Sequence, residues 1–170
     1  MENLSNYSEL AEIFSATTII FGSIFALVQF REYKKRQKIE MASEMCRQFS
    51  EPGLARAITL LLQLPDDTSY ETLKSMDIEY EESAQIVGHA FESMGLLVHI
   101  DVASFNLIQS LAGGLMLTIW KKLHCWVEGT REFESNPRFA EWVEWLVNQV
   151  ESEETILVPA YIAYKDWKHK

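Results

Sequence analysis

An uncharged, mostly apolar run extends over eighteen residues from Ile13 to Phe30 and limits what this chain can fold into. In a helix that rises 1.5 Å per residue, the run is about 27 Å long, close to the roughly 30 Å hydrocarbon core of a bilayer. A helix satisfies its backbone polar groups internally, as a segment in lipid must. The run therefore predicts a single transmembrane helix. The alternatives are a buried core helix of a soluble protein, an interfacial helix, and a docking helix within a larger membrane complex.

Five basic side chains follow the run, and we call them the basic collar: Arg31, Lys34, Lys35, Arg36 and Lys38. The residues before the run include three glutamates and no basic side chain. Because Lys and Arg beside a span favour the cytoplasmic side, we expect residues 1–12 outside, residues 13–30 in the membrane, and the remainder inside. Membrane lipid is thus an expected partner, since anionic headgroups suit the collar. The start lacks the basic region of a signal peptide and a cleavage site, so we expect the helix to stay attached.

Small side chains recur every four residues within the run, at Thr18, Gly22 and Ala26. Such a stripe lets two helices in a membrane approach closely. It therefore predicts self-association of the span. The expected protein partner of the chain is a second copy or another protein.

The remainder of the chain is strongly acidic. The sequence has 15 basic and 25 acidic side chains. The first 38 residues hold five of the basic and four of the acidic ones, so residues 39–170 have ten basic and twenty-one acidic side chains. An acidic domain binds polyanions poorly, which argues against nucleic acid as a partner. The 170 residues suffice for one domain beyond the span.

Helical spacing of apolar residues dominates the chain after the collar, and no run alternates long enough to predict a sheet. Asp77, Asp101 and Asn136 are N-cap candidates, and Pro137 after Asn136 suits a first helical position. We predict an all-α fold in which the transmembrane helix continues as a basic juxtamembrane helix into an acidic cytoplasmic bundle. The predicted segments are the juxtamembrane helix over 31–49 and a bundle domain over 50–170, with helices over 54–64, 70–76, 78–99, 102–132 and 138–150 and a broken segment over 155–164.

Four residues are candidates for a buried polar pocket between helices: His89, Glu92, Trp120 and Arg131. His89 and Glu92 lie three apart, a spacing that can place both on one metal, but no second pair of this kind exists in the chain. A structural role is the leading interpretation of Glu92, with Arg131 or Arg56 as the partner of a buried carboxylate. Simple solvent exposure is the third interpretation.

The two cysteines, Cys46 and Cys125, form neither a disulfide framework nor a CxxC pair, so we expect free thiols. His124 and Cys125 are neighbours on a predicted helix, where their side chains point about 100° apart, and we do not expect them to act as nucleophile and base. No ligand set has the usual zinc spacing. We therefore predict no metal and no cofactor.

These features resemble those of a widespread bacterial family of uncharacterised proteins with one N-terminal span, a basic juxtamembrane helix and a cytoplasmic helical domain. The resemblance rests on FESMGLLV over Phe91–Val98, on Trp120 and Arg131, and on SNPRFAEWVEWL over Ser135–Leu146. It implies the topology and, with the charge pattern, a location in the bacterial inner membrane. It implies no activity and no catalytic residues.

Two functions remain open on the sequence. The leading hypothesis is a membrane-anchored interaction, scaffold or accessory-subunit protein without evident catalysis, because no catalytic motif was found. The alternative is an enzyme or small-ligand sensor whose pocket lies around His89, Glu92, Trp120 and Arg131, since a helical bundle can hold such a site without a linear motif.

Overall fold

The computed structural model describes residues 2–154 and 160–168, without the side chains of residues 2–16, Lys38 and Glu154. The described residues form helices joined by turns and contain no strand, which confirms the predicted all-α fold. The helices are α1 (Glu2–Phe49), α2 (Pro52–Leu61), α3 (Tyr70–Ser75), α4 (Ile78–His99), α5 (Phe105–Phe133), α6 (Glu141–Glu154) and α7 (Ala160–Ala163).

The chain divides into two compact units, Met1–Ser43 and Glu44–Lys170. The first unit contains α1 up to Ser43, and the helix runs unbroken to Phe49, as the helical spacing predicted. Every described side chain from Thr17 to Phe30 is exposed, including the predicted stripe of Thr18, Gly22 and Ala26. Self-association along that stripe stays a prediction.

Within the described part of the chain, no helix combines the length and the apolar composition needed to cross a membrane. Ile13 to Ala16, the first turn of the predicted span, lie outside the residues whose side chains are described, as does the Lys38 side chain of the basic collar. The structure therefore does not support the predicted transmembrane helix, and the span stays a prediction.

The second unit is built around α4, which contacts α2, α3, α5 and α6. Apolar side chains at helical spacing face inward from each of these helices, and each large one contributes about 1.5 to 3 kcal/mol when fully buried. The largest fully buried side chains of these helices are Leu61, Leu73, Val87, Phe91, Met94, Ile108, Met116, Leu146, Val147 and Val150. This core holds α4 and α5 in place beside α6.

The start of α5 differs from the prediction, because Asp101 terminates α4 instead of capping α5. Asp101 has a φ of 57°, its N–H donates to the Val98 carbonyl at 3.1 Å, and the N–H of Val102 donates to the Leu97 carbonyl at 3.0 Å. This is the Schellman arrangement that closes a helix. Ser104 precedes α5, which begins three residues later than predicted.

The start of α6 also differs from the prediction, which began this helix immediately after Pro137. Residues 134–140 form a connecting segment that we call the α5–α6 loop, in which the N–H of Phe139 donates to the Asn136 carbonyl at 3.1 Å. Ala140 has a φ of 55°, outside the helical region, and α6 begins only at Glu141. At this later start the helix is capped by Glu92 of α4, which accepts hydrogen bonds from the N–H groups of Trp142 and Val143.

Candidate functional site

A cavity of about 240 Å³ lies between α4, α5 and the α5–α6 loop. Its wall is mostly apolar and includes the aromatic rings of Trp120, Trp126 and Phe139. The polar residues that line it are Gln85, His89, Glu92, Asn136 and Arg138. Concave, largely apolar pockets with a few polar groups are the usual form of small-molecule sites.

Three of the four predicted pocket residues line this cavity: His89, Glu92 and Trp120. Arg131 does not line it and holds the α5–α6 loop from behind. Its Nε donates to the Phe139 carbonyl at 2.8 Å, and its guanidinium pairs with the Glu144 carboxylate at 2.7 Å. Arg131 thus fixes the part of the wall to which Phe139 belongs.

Glu92 caps α6 and forms no ion pair with an arginine among the described side chains. Its Oε2 accepts hydrogen bonds from the backbone N–H groups of Trp142 at 3.1 Å and Val143 at 2.9 Å. A carboxylate at these first amides also favours the positive end of the helix dipole. Arg56, the other predicted partner, pairs instead with Glu79 at 2.6 Å. The structural interpretation of Glu92 is supported, but its expected arginine partner is wrong.

Gly95 lies about one turn after Glu92 and lets α4 and α6 approach closely. A Cβ atom on Gly95 would come within 2.8 Å of the Trp142 carbonyl carbon and 2.9 Å of Trp142 Cβ, and closer still to the carbonyl oxygen. Glu92 and Gly95 therefore act on the same residue of α6, one through its N–H and the other by leaving room for its backbone. The Phe-Glu-x-x-Gly pattern over Phe91–Gly95 therefore has a packing function in this fold.

Trp126 lines the cavity and carries an unpaired buried donor. The residue is 3% exposed, and its ring packs edge-on against Phe139 with centroids 5.3 Å apart. Its Nε1 is buried and has no hydrogen-bond partner among the residues that the structure describes. A buried donor left unsatisfied costs about 1 to 3 kcal/mol. In the sequence Trp126 is indistinguishable from an ordinary core residue, so sequence reasoning did not single it out.

A second group of polar side chains lies where the loop after α2 meets α5. The Cys125 Sγ is 3.3 Å from the His124 Nε2, and the His124 Nδ1 is 3.6 Å from a carboxylate oxygen of Asp67. The expectation that His124 and Cys125 point apart is wrong, because the imidazole is long enough to turn back toward its neighbour. The contribution of Asp67 from a distant loop could not be inferred from spacing.

The order of these three side chains is that of a nucleophile, a base and an orienting carboxylate. However, burial raises the pKa of the Cys125 thiol, and the negative charges of Asp67 and Glu128 raise it further. Reactive cysteines have lowered pKa values, because the thiolate is the nucleophile. The environment of Cys125 thus keeps the thiol protonated and does not favour nucleophilic catalysis.

The sequence matches the model of a domain of unknown function, DUF4760, over residues 13–150. The match includes the apolar run and the helices that form the cavity. No curated protein and no solved structure shows significant similarity to the chain. An uncharacterised family was expected from the resemblance, whereas its single span and bacterial source stay predictions. Because the match covers most of the sequence, the chain belongs to the DUF4760 family of domains of unknown function.

Proposed function

We propose that the helical unit Glu44–Lys170 binds a small molecule in the cavity between α4, α5 and the α5–α6 loop. The observation that carries this proposal is that Trp126, a residue lining this largely apolar cavity, has a buried Nε1 without a hydrogen-bond partner among the described residues. A buried polar group without a partner is rare and calls for an explanation. A bound molecule with a hydrogen-bond acceptor would satisfy this donor and remove the cost of leaving it unpaired.

The cavity favours an uncharged ligand that is mainly apolar and has one acceptor. An engineered cavity of about 150 Å³ binds benzene, and the present volume of about 240 Å³ is suited to a bicyclic molecule. Glu92 and Arg138 are the acidic and basic residues of the lining, and the Arg138 guanidinium pairs with Glu141 at 2.5 Å. A charged ligand would therefore have to break an existing pair or remain unpaired.

The position of Glu92 supports a sensor in which binding influences α6. Glu92 lines the cavity and also accepts the hydrogen bonds of the first amides of α6. A ligand in contact with Glu92 would thus touch the side chain that defines where α6 begins. Such a contact would shift the equilibrium between the capped and uncapped states of α6 if the ligand binds one of these states more tightly than the other.

We expect 1-tetralone to bind more tightly than tetralin, the hydrocarbon with the same bicyclic skeleton and no acceptor. One hydrogen bond contributes about 1 kcal/mol, which is about fivefold in the dissociation constant. Titration of the ¹⁵N-labelled full chain in detergent, followed by the indole N–H resonances, measures both affinities. The Trp126 resonance should move downfield with 1-tetralone and not with tetralin.

Trp126→Phe should remove the preference for the ketone, and Trp120→Phe is the matched control in the same cavity. The ratio of the two affinities is compared between variants, because partitioning of each ligand into detergent then cancels. If the preference persists in Trp126→Phe, or if 1-tetralone leaves the Trp126 resonance of the wild-type protein unchanged, the proposal is wrong. The second measurement does not depend on how the variant folds.

A second proposal concerns α1, which we propose anchors the protein in the bacterial inner membrane with the acidic helical unit in the cytoplasm. Large apolar side chains are 52 to 68% exposed along this part of α1. Three of them, Ile19, Ile20 and Phe21, are consecutive and so cover more than half of the helix circumference. A protein groove covers one face of a helix, whereas lipid covers all of them. The exposed residues are Ile19, Ile20, Phe21, Ile24, Phe25, Leu27, Val28 and Phe30.

The basic collar favours the same partner, because Lys and Arg immediately beside an apolar helix suit anionic headgroups. An anchored helical unit would be available to a partner protein or a second copy, as an interaction or accessory-subunit protein requires. This role and ligand binding are compatible, since they use different units of the chain.

Carbonate extraction of membranes tests the anchor. The wild-type chain should stay in the pellet, whereas the double variant Ile20→Lys, Ile24→Lys should be released, because each Lys near a span centre costs about 3 kcal/mol. The matched control is Ile78→Lys, Ile86→Lys, which changes two exposed isoleucines of α4. Release of the wild-type chain, or equal retention of all three proteins, would contradict the proposal.

A further inference from the structure

We propose that Asp67, His124 and Cys125 form a binding site for a divalent transition-metal ion, for which zinc is the best fit. The three side chains each offer one ligand atom, and these atoms all lie within 4.8 Å of one another. The group is separate from the residues that line the cavity. Neither its position nor its chemistry depends on the function proposed above.

The donor set is that of a zinc site. Cysteine sulfur, imidazole nitrogen and carboxylate oxygen are the ligands that zinc takes in proteins, and three protein ligands leave a fourth position for water. The Cys125 Sγ and the His124 Nε2 are 3.3 Å apart. Two such ligands on one tetrahedral zinc would be about 3.5 Å apart, from Zn–S of about 2.3 Å and Zn–N of about 2.0 Å. The pair could therefore hold an ion with little movement.

The backbone holds the contributing elements together before any ion binds. His124 and Cys125 lie within α5, and Asp67 is in the loop after α2. The N–H of Asp67 donates to the Lys121 carbonyl at 3.0 Å, and the N–H of Thr68 donates to the Lys122 carbonyl at 2.9 Å. These hydrogen bonds fix the loop one turn before the two α5 ligands. Because such a site is preformed, less ordering is needed on binding.

The charges around the group favour a cation. The neighbouring Asp66 pairs with Lys121 at 2.8 Å and Lys122 at 3.4 Å. Asp67 forms no ion pair with a lysine or arginine among the described residues, and its partner is His124 at 3.6 Å. The carboxylate charge of Asp67 is therefore available to a cation held beside His124.

Binding exchanges a proton for the metal. The ion forms a bond to the Cys125 sulfur as the S–H bond breaks, and the proton is released to solvent. The carboxylate of Asp67 either binds the ion directly or accepts the Nδ1–H of His124 and orients the ring, as carboxylates do beside many metal-bound histidines. Both arrangements predict that affinity falls as the pH is lowered.

Titration of the full chain with cobalt(II) chloride tests the site, because a bound cobalt–thiolate pair has a charge-transfer absorption in the near ultraviolet. We expect this band to appear with release of a proton and to saturate at one ion per chain, and zinc chloride to abolish it by displacing the cobalt. Cys125→Ser and His124→Gln should each weaken binding by at least about 100-fold, and Asp67→Asn by about 10- to 100-fold. Cys46→Ser, which changes the other free thiol, should leave the titration unchanged.

The proposal is overturned if the wild-type chain shows no charge-transfer band at millimolar cobalt, or if the band survives in Cys125→Ser. Loss of the band in Cys46→Ser would show that the bound thiolate is Cys46 and not Cys125, which would also overturn the proposal. Far-ultraviolet circular dichroism of each variant confirms that the helices remain, so that a lost site is distinguished from a lost fold. The wild-type result stands in any case without the variants.

Discussion

Replacement of Gly95 by alanine should destabilise the protein by about 3 kcal/mol, whereas the same replacement at Gly88 should stabilise it by up to about 1 kcal/mol. A methyl group on Gly95 would overlap the backbone of Trp142 in α6, which cannot move without shifting the helix. A methyl group on Gly88 meets no atom within 4 Å. Gly88 then gains only the higher helix propensity of alanine.

The two glycines are two turns apart on α4, so each variant is the control for the other. Urea unfolding of the full chain, followed by far-ultraviolet circular dichroism, measures the free energy of unfolding of both. The opposite signs are the essential result. Equal effects of the two substitutions would show that helix propensity, and not the contact with Trp142, determines the outcome at Gly95.

Replacement of Glu92 by alanine should lower the free energy of unfolding by about 2 to 3 kcal/mol, because two part-buried N–H groups at the start of α6 lose their charged acceptor. Glutamine can still accept a hydrogen bond, so Glu92→Gln should cost only about 1 kcal/mol, mainly from the lost attraction to the helix dipole. The same urea unfolding experiment measures both variants.

Glu82→Ala is the matched control, since Glu82 is an exposed glutamate on the same helix. Its effect should lie within about 0.5 kcal/mol of zero, as is usual for surface substitutions. If Glu92→Ala were as mild as Glu82→Ala, the cap would not stabilise the fold. Glu92 would then serve the cavity and not the stability of the fold.

The two predictions concern the same helix pair and bear on the cavity. Glu92 lines the cavity, and so do Phe139 of the α5–α6 loop and Val143 of α6. Variants that separate α4 from α6 should therefore change the cavity together with the stability. Trp126→Phe tests the ligand more directly, because it alters the donor and leaves the cap of α6 in place.

Local signals in the sequence were sufficient to predict the helix ends that depend only on residues nearby in the sequence. Asp77 immediately precedes α4, as predicted, whereas Pro52 opens α2 two residues before its predicted start. The apolar spacing of α4 and α5 also placed His89, Glu92 and Trp120 in one pocket. These features follow from backbone propensity and helical periodicity, which act over a few residues.

Other helix ends depended on contacts between elements. The Asn136–Pro137 pair is a good local start signal, yet α6 begins at Glu141, where Glu92 from α4 supplies the cap. Asp101 has the chemistry of an N-cap but ends α4 in a left-handed conformation. In both cases a cap of the right chemistry was available in the sequence, and the helix in the packed chain begins elsewhere.

The sequence by itself determined that this chain is helical, where most of its helices lie, and that its long first helix has an apolar segment beside a basic collar. Only the tertiary structure decided that Glu92 caps α6, that Trp126 has an unpaired donor in a cavity wall, and that Asp67 meets His124 and Cys125. Helical periodicity acts over a few residues, so one sequence window reveals it. A cap, a cavity and a ligand cluster each require side chains that are distant in sequence, and the packing of whole helices brings these together.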